Sequence, residues 1–320
     1  AHRHTEVRHF IRASGAVAYV VPDVAHHFDY RPMAAQMQDE FAGLRVFVVG
    51  EAGAGQTAHA ALLRGLPDDE VTREIRAAEA AVDPAEVATM LLSGGTTSLS
   101  KLIPRTHEDY VLNARLCGRA GGFDERTVFL AILPLGHNYN LASPGILGAF
   151  YVGGSVVLAP STDTAEIFRL VQQERVTVIA SVVPLISAWL ASDEPKRFDH
   201  SSLKVVQNGG ARLAPELRQR LITELGCTPQ EIYGTAEGLI NMTRLDDPLE
   251  LILHSSGRPV CEDDEIAVVD DDGREVPDGE AGELITRGPY TIRGYYRAPQ
   301  KNTEAFTADG FYRMGDIVRK

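Results

Sequence analysis

The chain has 320 residues, 44% of them hydrophobic, with 31 basic against 44 acidic side chains and a formal net charge of −13. That length suggests about two domains, that composition is ample for a core, and the acidic balance argues against nucleic acid or an anionic membrane surface as the main partner. Cys117, Cys227 and Cys261 are odd in number and form no CxxC pair, which disfavours a disulfide frame or a zinc site and suits the reduced thiols of a cytoplasmic protein.

In chain order, a polar helical segment opens the sequence, and its His2, His4 and His9 read as a solvated face, not a metal cluster. Residues 17–21 and 45–49 are strand candidates around a helix at 32–41, and 51–69 reads as a long surface connection. Val87–Leu92 is a strand that delivers Ser93, Gly94, Gly95, Thr96, Thr97, Ser98, Leu99, Ser100 and Lys101. Glycines let backbone N–H groups turn inward, hydroxyls add donors and lysine adds mobile charge, so this is a candidate phosphate-holding loop. It lacks the Walker ending, and a mobile polar linker is the alternative.

Beyond the loop, helices at 107–119, 144–152, 163–174, 184–192 and 214–225 alternate with strands at 128–133, 155–159, 176–180, 203–207 and 230–233. Short valine- and isoleucine-rich strands without polar alternation predict parallel strands covered by helices on both faces. In such α/β folds ligands collect beyond the carboxyl ends of the strands, which here are the loops at 93–101, 134–143, 208–212 and 234–247. The 176–191 apolar run contains Pro184 and breaks into strand, turn and helix, so no membrane span is expected. From 254 onward the sequence turns to strands and hairpins. The expected organisation is therefore an α/β core over 1–253 and a β-rich subdomain over 254–320.

Five further stretches carry the chemistry. They are Pro134-Leu135-Gly136-His137-Asn138-Tyr139, Gln207-Asn208-Gly209-Gly210-Ala211-Arg212, Tyr233-Gly234-Thr235-Ala236-Glu237-Gly238, Arg293-Gly294-Tyr295-Tyr296 and Tyr312-Arg313-Met314-Gly315-Asp316. Together with the 93–101 loop they resemble, in order and spacing, the core motifs of the adenylate-forming ligases. His137-Asn138-Tyr139 and the 237–247 stretch are similar to the 2,3-dihydroxybenzoate–AMP ligases of siderophore biosynthesis, with salicylate–AMP ligases the nearest alternative. A catalytically silent carrier-docking module is the alternative outside enzymes.

The resemblance implies the large domain of such a ligase, mostly parallel sheets covered by helices. It implies ATP and Mg²⁺, an aryl acid as substrate, and an aryl carrier protein with a phosphopantetheine arm as partner. Ser93, Gly94, Gly95, Thr96, Thr97 and Lys101 would hold phosphates, with Ser98 and Ser100 standing where the family usually has glycine and proline. Gly210, Ala211, Tyr233, Gly234 and Thr235 would bind ATP, Tyr233 by stacking on the adenine and Gly210 and Ala211 by backbone approach, and Asp316 would take the ribose. His137 and Glu237 would be catalytic, Glu237 also the Mg²⁺ ligand. Asn138, Tyr139, Ser143, Gly209 and Ile240 would line the aryl pocket. The family's N-terminal portion and small C-terminal domain, with its catalytic lysine, are expected to lie outside this stretch, which opens on Ala1 and stops at Lys320.

Local readings compete with several of these roles. Glu237 could be a helix-start acid, Asp316 a turn residue, Tyr233 a half-buried strand aromatic, Gly209-Gly210 a plain turn and His137 a satisfied histidine. Ser143 is implied to meet a substrate 3-hydroxyl, while Ser143-Pro144 also reads as a helix N-cap followed by proline at the first helical position.

Overall fold

Strand-forming runs that are apolar on alternate residues to two different sides need cover on both faces, and the structure provides it. The structure is a computed structural model that describes residues 2–63, 65, 67–94 and 100–320. The chain divides into two compact units, one of residues 1–83 with 92–102 and one of residues 84–91 with 103–320.

In the first unit, Ala18–Pro22 and Thr57–Ala58 pair in parallel with Arg45–Val49. Helices His4–Ser14 and Arg31–Glu40 supply Val7, Ile11, Met33 and Met37 to its core. The stretch expected as a bare connection at 51–69 differs: it holds the third strand and a 3₁₀ turn at His59–Leu62, and a helix at Asp68–Ala81 begins before it ends. That helix buries none of its side chains although Val71, Ile75 and Ala78 repeat at helical spacing, and its acidic first turn Asp68, Asp69, Glu70 favours the helix dipole.

The second unit is built on a seven-stranded sheet. Its spatial order is Arg258–Pro259, Ile240–Met242, Thr228–Gly234, Val205–Asn208, Val178–Ser181, Val128–Ala131 and Ser155–Leu158, the last five parallel. Leu130, Ile179 and Val206 join one buried cluster with the helices Thr164–Glu174, Val183–Leu190 and Pro215–Leu225. Phe129, Ala131, Val178, Ala180 and Val205 join the opposite cluster with Cys117, Ala149 and Tyr290. Period-two strands between two helix layers place every parallel carboxyl end on one edge. All three cysteines are unpaired and buried. Past the large sheet, Glu265–Val269, Ala281–Arg287 and Tyr312–Arg319 form an antiparallel sheet of three strands. No helix among the described residues is long and apolar enough to cross a membrane.

One buried ion pair braces the carboxyl edge. Arg218 and Glu231 are 1% and 4% exposed, with Nη2 2.9 Å from Oε2. Arg218 also donates from Nε to Leu213 O and from Nη1 to Ile252 O and Ser255 O. Glu231 accepts from Asn208 Nδ2 and from the Leu213 amide. Removing the cation alone strands a carboxylate and three carbonyls. Arg218→Ala should therefore cost about 3–5 kcal/mol in urea unfolding, and a loss below about 1 kcal/mol would show that the pair is not a brace.

Candidate functional site

In the first unit the ends of the expected phosphate loop are clamped. Ser93 N donates to Lys101 O at 3.0 Å, and Lys101 N donates to the Ser93 hydroxyl at 2.9 Å. The ring of His9 sets Nε2 3.0 Å from Ser100 O. Ser93, Gly94 and Lys101 thus stand at a closed neck, and among the described residues nothing crowds the point where a side chain on Gly94 would begin. Gly95, Thr96, Thr97 and Ser98 lie outside the described residues.

In the second unit the aryl-pocket candidates gather around the short helix Asn138–Ala142. His137 caps it, Nδ1 accepting from Tyr139 N at 3.2 Å, and its own ring stays exposed. Tyr139 is buried, donates to Ser181 O at 3.2 Å and presses its ring where a side chain on Gly209 would stand, 3.0 Å from an added Cβ. Glycine at 209 is what lets the ring lie there. Asn138 is buried between two partners: Tyr110 donates to its Oδ1 at 2.8 Å, and its Nδ2 donates to Ser143 Oγ at 3.2 Å.

The helix-cap reading of Ser143 is corrected by this geometry. The following helix is Gly145–Tyr151 with Pro144 at its cap position and no side-chain cap, because Ser143 instead closes the helix before it. The Ser143 oxygen accepts from Asn138 Nδ2, which leaves its own hydrogen to donate.

Ile240 is buried in the same apolar cluster as Tyr139 and pairs across the strand with Gly234. An added Cβ on Gly234 would sit 2.1 Å from Leu239 O, so only glycine fits the turn. Ile240 N donates to the Tyr290 hydroxyl at 3.3 Å, and Tyr290 donates onward to Asp264 Oδ2 at 2.6 Å. Burial lifts the Asp264 carboxyl to about 6, opposed by the Tyr290 hydrogen bond.

Gly210, Ala211, Tyr233, Gly234 and Asp316 share the lining of a cavity of about 360 Å³, and Thr235 is not part of that lining. Tyr233 is half-buried at the end of its strand and donates to Asp316 Oδ2 at 2.7 Å. Asp316 is exposed and lies within the strand Tyr312–Arg319 beside Gly315, whose φ is +78°. Gly210 adopts φ +79° after its strand, a conformation glycine reaches without strain. The turn is held from behind, since Asn208 Nδ2 donates to Ala211 O at 2.7 Å. Burial raises Glu231 to about 7 against the pull of Arg218. Among the described residues the buried Thr235 hydroxyl has no hydrogen-bond partner.

No helix begins at Glu237, which removes the helix-start reading: it sits in the turn between Thr228–Gly234 and Ile240–Met242, 7% exposed. Its Oε1 accepts from the Tyr295 hydroxyl at 2.9 Å, and its backbone carbonyl accepts from Ile292 N. Tyr312 OH stands 3.4 Å from Tyr295 OH. Burial first and the Glu237 charge second push both phenols up, Tyr312 to about 12. Among the described residues no basic side chain forms an ion pair with Glu237, and no three metal-ligating side chains cluster. One buried carboxylate with phenol donors and no cation fits a Mg²⁺ held chiefly by phosphate and water, the usual manner for that ion.

Sequence reasoning missed Arg105. It is fully buried, donates from Nε to Asp109 at 2.9 Å and from Nη1 to Ala236 O at 2.8 Å, and reaches Tyr290 O from Nη2 at 3.2 Å. The legible signal was local: Thr106 and Asp109 form a capping box, and Arg105 with Asp109 is an (i, i+4) ion pair.

A family model described as AMP-binding enzyme matches residues 1–296. A 2,3-dihydroxybenzoate-AMP ligase of Bacillus subtilis is 46% identical over 321 residues, covering 100% of this chain and 57% of its own. A salicylyl-CoA synthase / salicylate adenylyltransferase of a Streptomyces species is 44% identical, covering 100% of this chain and 58% of its own. The solved apo structure of Mycobacterium smegmatis MbtA superposes with a TM-score of 0.88 at 38% identity, over 100% of this chain and 57% of that one. The α/β architecture expected from the alternating elements is that of this neighbour. The chain spans a little over half the length of the curated relatives it matches.

The Asp264 strut yields a pH test. A carboxyl raised from 3.8 to about 6 contributes stability that is complete below its ordinary value and lost as pH rises through about 6. Asp264→Asn keeps an acceptor for Tyr290 and should flatten the fall in melting temperature between pH 4 and about 6. Superimposable profiles for the two proteins would refute the assignment.

Proposed function

Because the chain belongs to the AMP-binding enzyme family, we propose that it serves an ATP-dependent 2,3-dihydroxybenzoate–AMP ligase of siderophore biosynthesis, acting in the cytoplasm. In the first step a carboxylate oxygen of the acid bonds to the α-phosphorus of ATP and pyrophosphate leaves. In the second, the phosphopantetheine thiol of an aryl carrier protein attacks the acyl carbon, loses its proton and expels AMP. The observation that carries the substrate reading is the buried Asn138–Ser143 pair, two polar side chains at the two ends of the short helix that also carries the buried Tyr139. An amide and a hydroxyl there suit a ring with neighbouring hydroxyl groups.

The chain's residues divide the work. Tyr233 offers a ring to the adenine, with Gly210 and Ala211 giving backbone approach, and Asp316 takes the ribose hydroxyls. The 93–101 loop holds the leaving phosphates. Glu237 would hold Mg²⁺, whose charge offsets that of the phosphates. His137 fixes the start of the short helix and thereby the aim of Asn138 and Tyr139. Positioning and charge neutralisation are what such a displacement demands.

ATP–pyrophosphate exchange by the full-length protein, with 2,3-dihydroxybenzoate, salicylate and benzoate, tests the reading. A single partner for the 3-hydroxyl should give about tenfold to hundredfold preference for 2,3-dihydroxybenzoate over salicylate. Ser143→Cys should move that ratio toward salicylate by about tenfold. A wild-type preference for salicylate would replace the substrate assignment, as the Streptomyces relative's name suggests, and exchange with none of the acids would end the ligase reading. Glu237→Gln should lower exchange by on the order of a hundredfold, while leaving the aryl-acid Kd, measured by calorimetry, unchanged. A weakened Kd with unaltered exchange would return Glu237 to a structural role.

A further inference from the structure

Behind the proposed aryl pocket stands a tyrosine that no sequence motif singled out. Tyr110 lies on the helix His107–Ala120, 5% exposed, with Asn138 at 6% and Ser143 at 1%. Its hydroxyl meets Asn138 Oδ1 at 2.8 Å. The Arg105 guanidinium faces its ring at 4.9 Å from the centroid, and Arg105 is itself tied to Ala236 O. Burial raises the phenol to about 12, so it remains protonated and able to donate.

A primary amide is nearly symmetric in shape and opposite in chemistry at its two ends: oxygen accepts, nitrogen donates. Which end faces the substrate is therefore decided by neighbours. Here the oxygen end takes the Tyr110 proton, and the nitrogen end lies toward Ser143, to which it gives one of its two hydrogens. Resting on the reading above, in which Ser143 meets the 3-hydroxyl, the substituent at the adjacent ring position falls on the nitrogen side of the amide.

We propose that Tyr110 is a positioning residue that fixes the polarity of the Asn138 amide, so that the site selects acids carrying a hydrogen-bond acceptor ortho to the carboxylate. An ortho-hydroxyl gives its hydrogen to its own carboxylate and turns a lone pair outward, which accepts from Asn138 Nδ2. An ortho-amino group gives one hydrogen to the carboxylate and points its second at Nδ2, setting donor against donor, and its lone pair is drawn into the ring. That mismatch should disfavour 2-aminobenzoate against salicylate by about tenfold to a hundredfold.

The test is exchange kinetics with the full-length protein on salicylate, 2-aminobenzoate and 2-fluorobenzoate. Tyr110→Phe keeps the ring beside Arg105 and removes only the donor that orients the amide. The salicylate to 2-aminobenzoate ratio of kcat/KM should then fall about tenfold, with the KM for ATP unchanged. An equal loss for both acids would mark Tyr110 as packing only and overturn the inference, though not the ligase reading. The wild type gives an independent check if the variant fails to fold. Fluorine accepts weakly and cannot donate, so 2-fluorobenzoate should be used better than 2-aminobenzoate, and the reverse order overturns the inference. Exchange with no aryl acid at all removes both the ligase reading and this one.

Discussion

Arg105 carries its charge with 0% exposure, and three separate pieces of the second unit converge on it. Nε is committed to Asp109, at the start of the helix His107–Ala120; Nη1 holds Ala236 O, one residue before Glu237; Nη2 holds Tyr290 O. Tyr290 in turn accepts from Ile240 N, and the ring of Tyr110 lies under the guanidinium. An isolated buried cation would cost several kcal/mol, so these partners are required by Arg105 as much as they require it. A planar fork can address three acceptors at fixed angles, which the compact ammonium of lysine on its flexible stem does not reproduce. The turn bearing Glu237, the strand bearing Ile240 and the helix bearing Tyr110 therefore share one electrostatic anchor.

That anchor was the least legible part of the chain. Parallel strands such as Val178–Ser181 and Val205–Asn208 could be read because both of their faces are apolar, and the covering helices followed from their periodicity. Leu102–Thr106 was not read, since Pro104 and Arg105 interrupt a short run that ordinarily signals a loop. Arg105 and Tyr110 look like surface residues of a helix start until partners 131 and 28 positions away are known. Asp264 and Tyr290, 26 positions apart, carry no spacing signal either. Ser143-Pro144 misled in the opposite way: a local cap pattern was present, but a second short helix ending at the same serine displaced the next helix start by a residue. The motifs that could be read were those whose chemistry is local, such as Gly210 with its positive φ and Gly234 against Leu239 O.

Two buried carboxylates six positions apart show how environment separates support from chemistry. Glu231 lies on an interior strand with Arg218 2.9 Å away, and Asn208 and the Leu213 amide donate to it. Its charge is cancelled inside the protein, and what it does is hold the 208–213 turn in place. Glu237 is equally secluded, yet its carboxylate is met by the Tyr295 phenol, and its backbone is pinned through Ile292 N and, one residue earlier, Arg105. Phenols whose ionisation is pushed up donate hydrogen bonds and bring no positive charge, so they orient the carboxylate without neutralising it. What separates the two acids is the company each keeps: a guanidinium and an amide around Glu231, a phenol and a pinned backbone around Glu237.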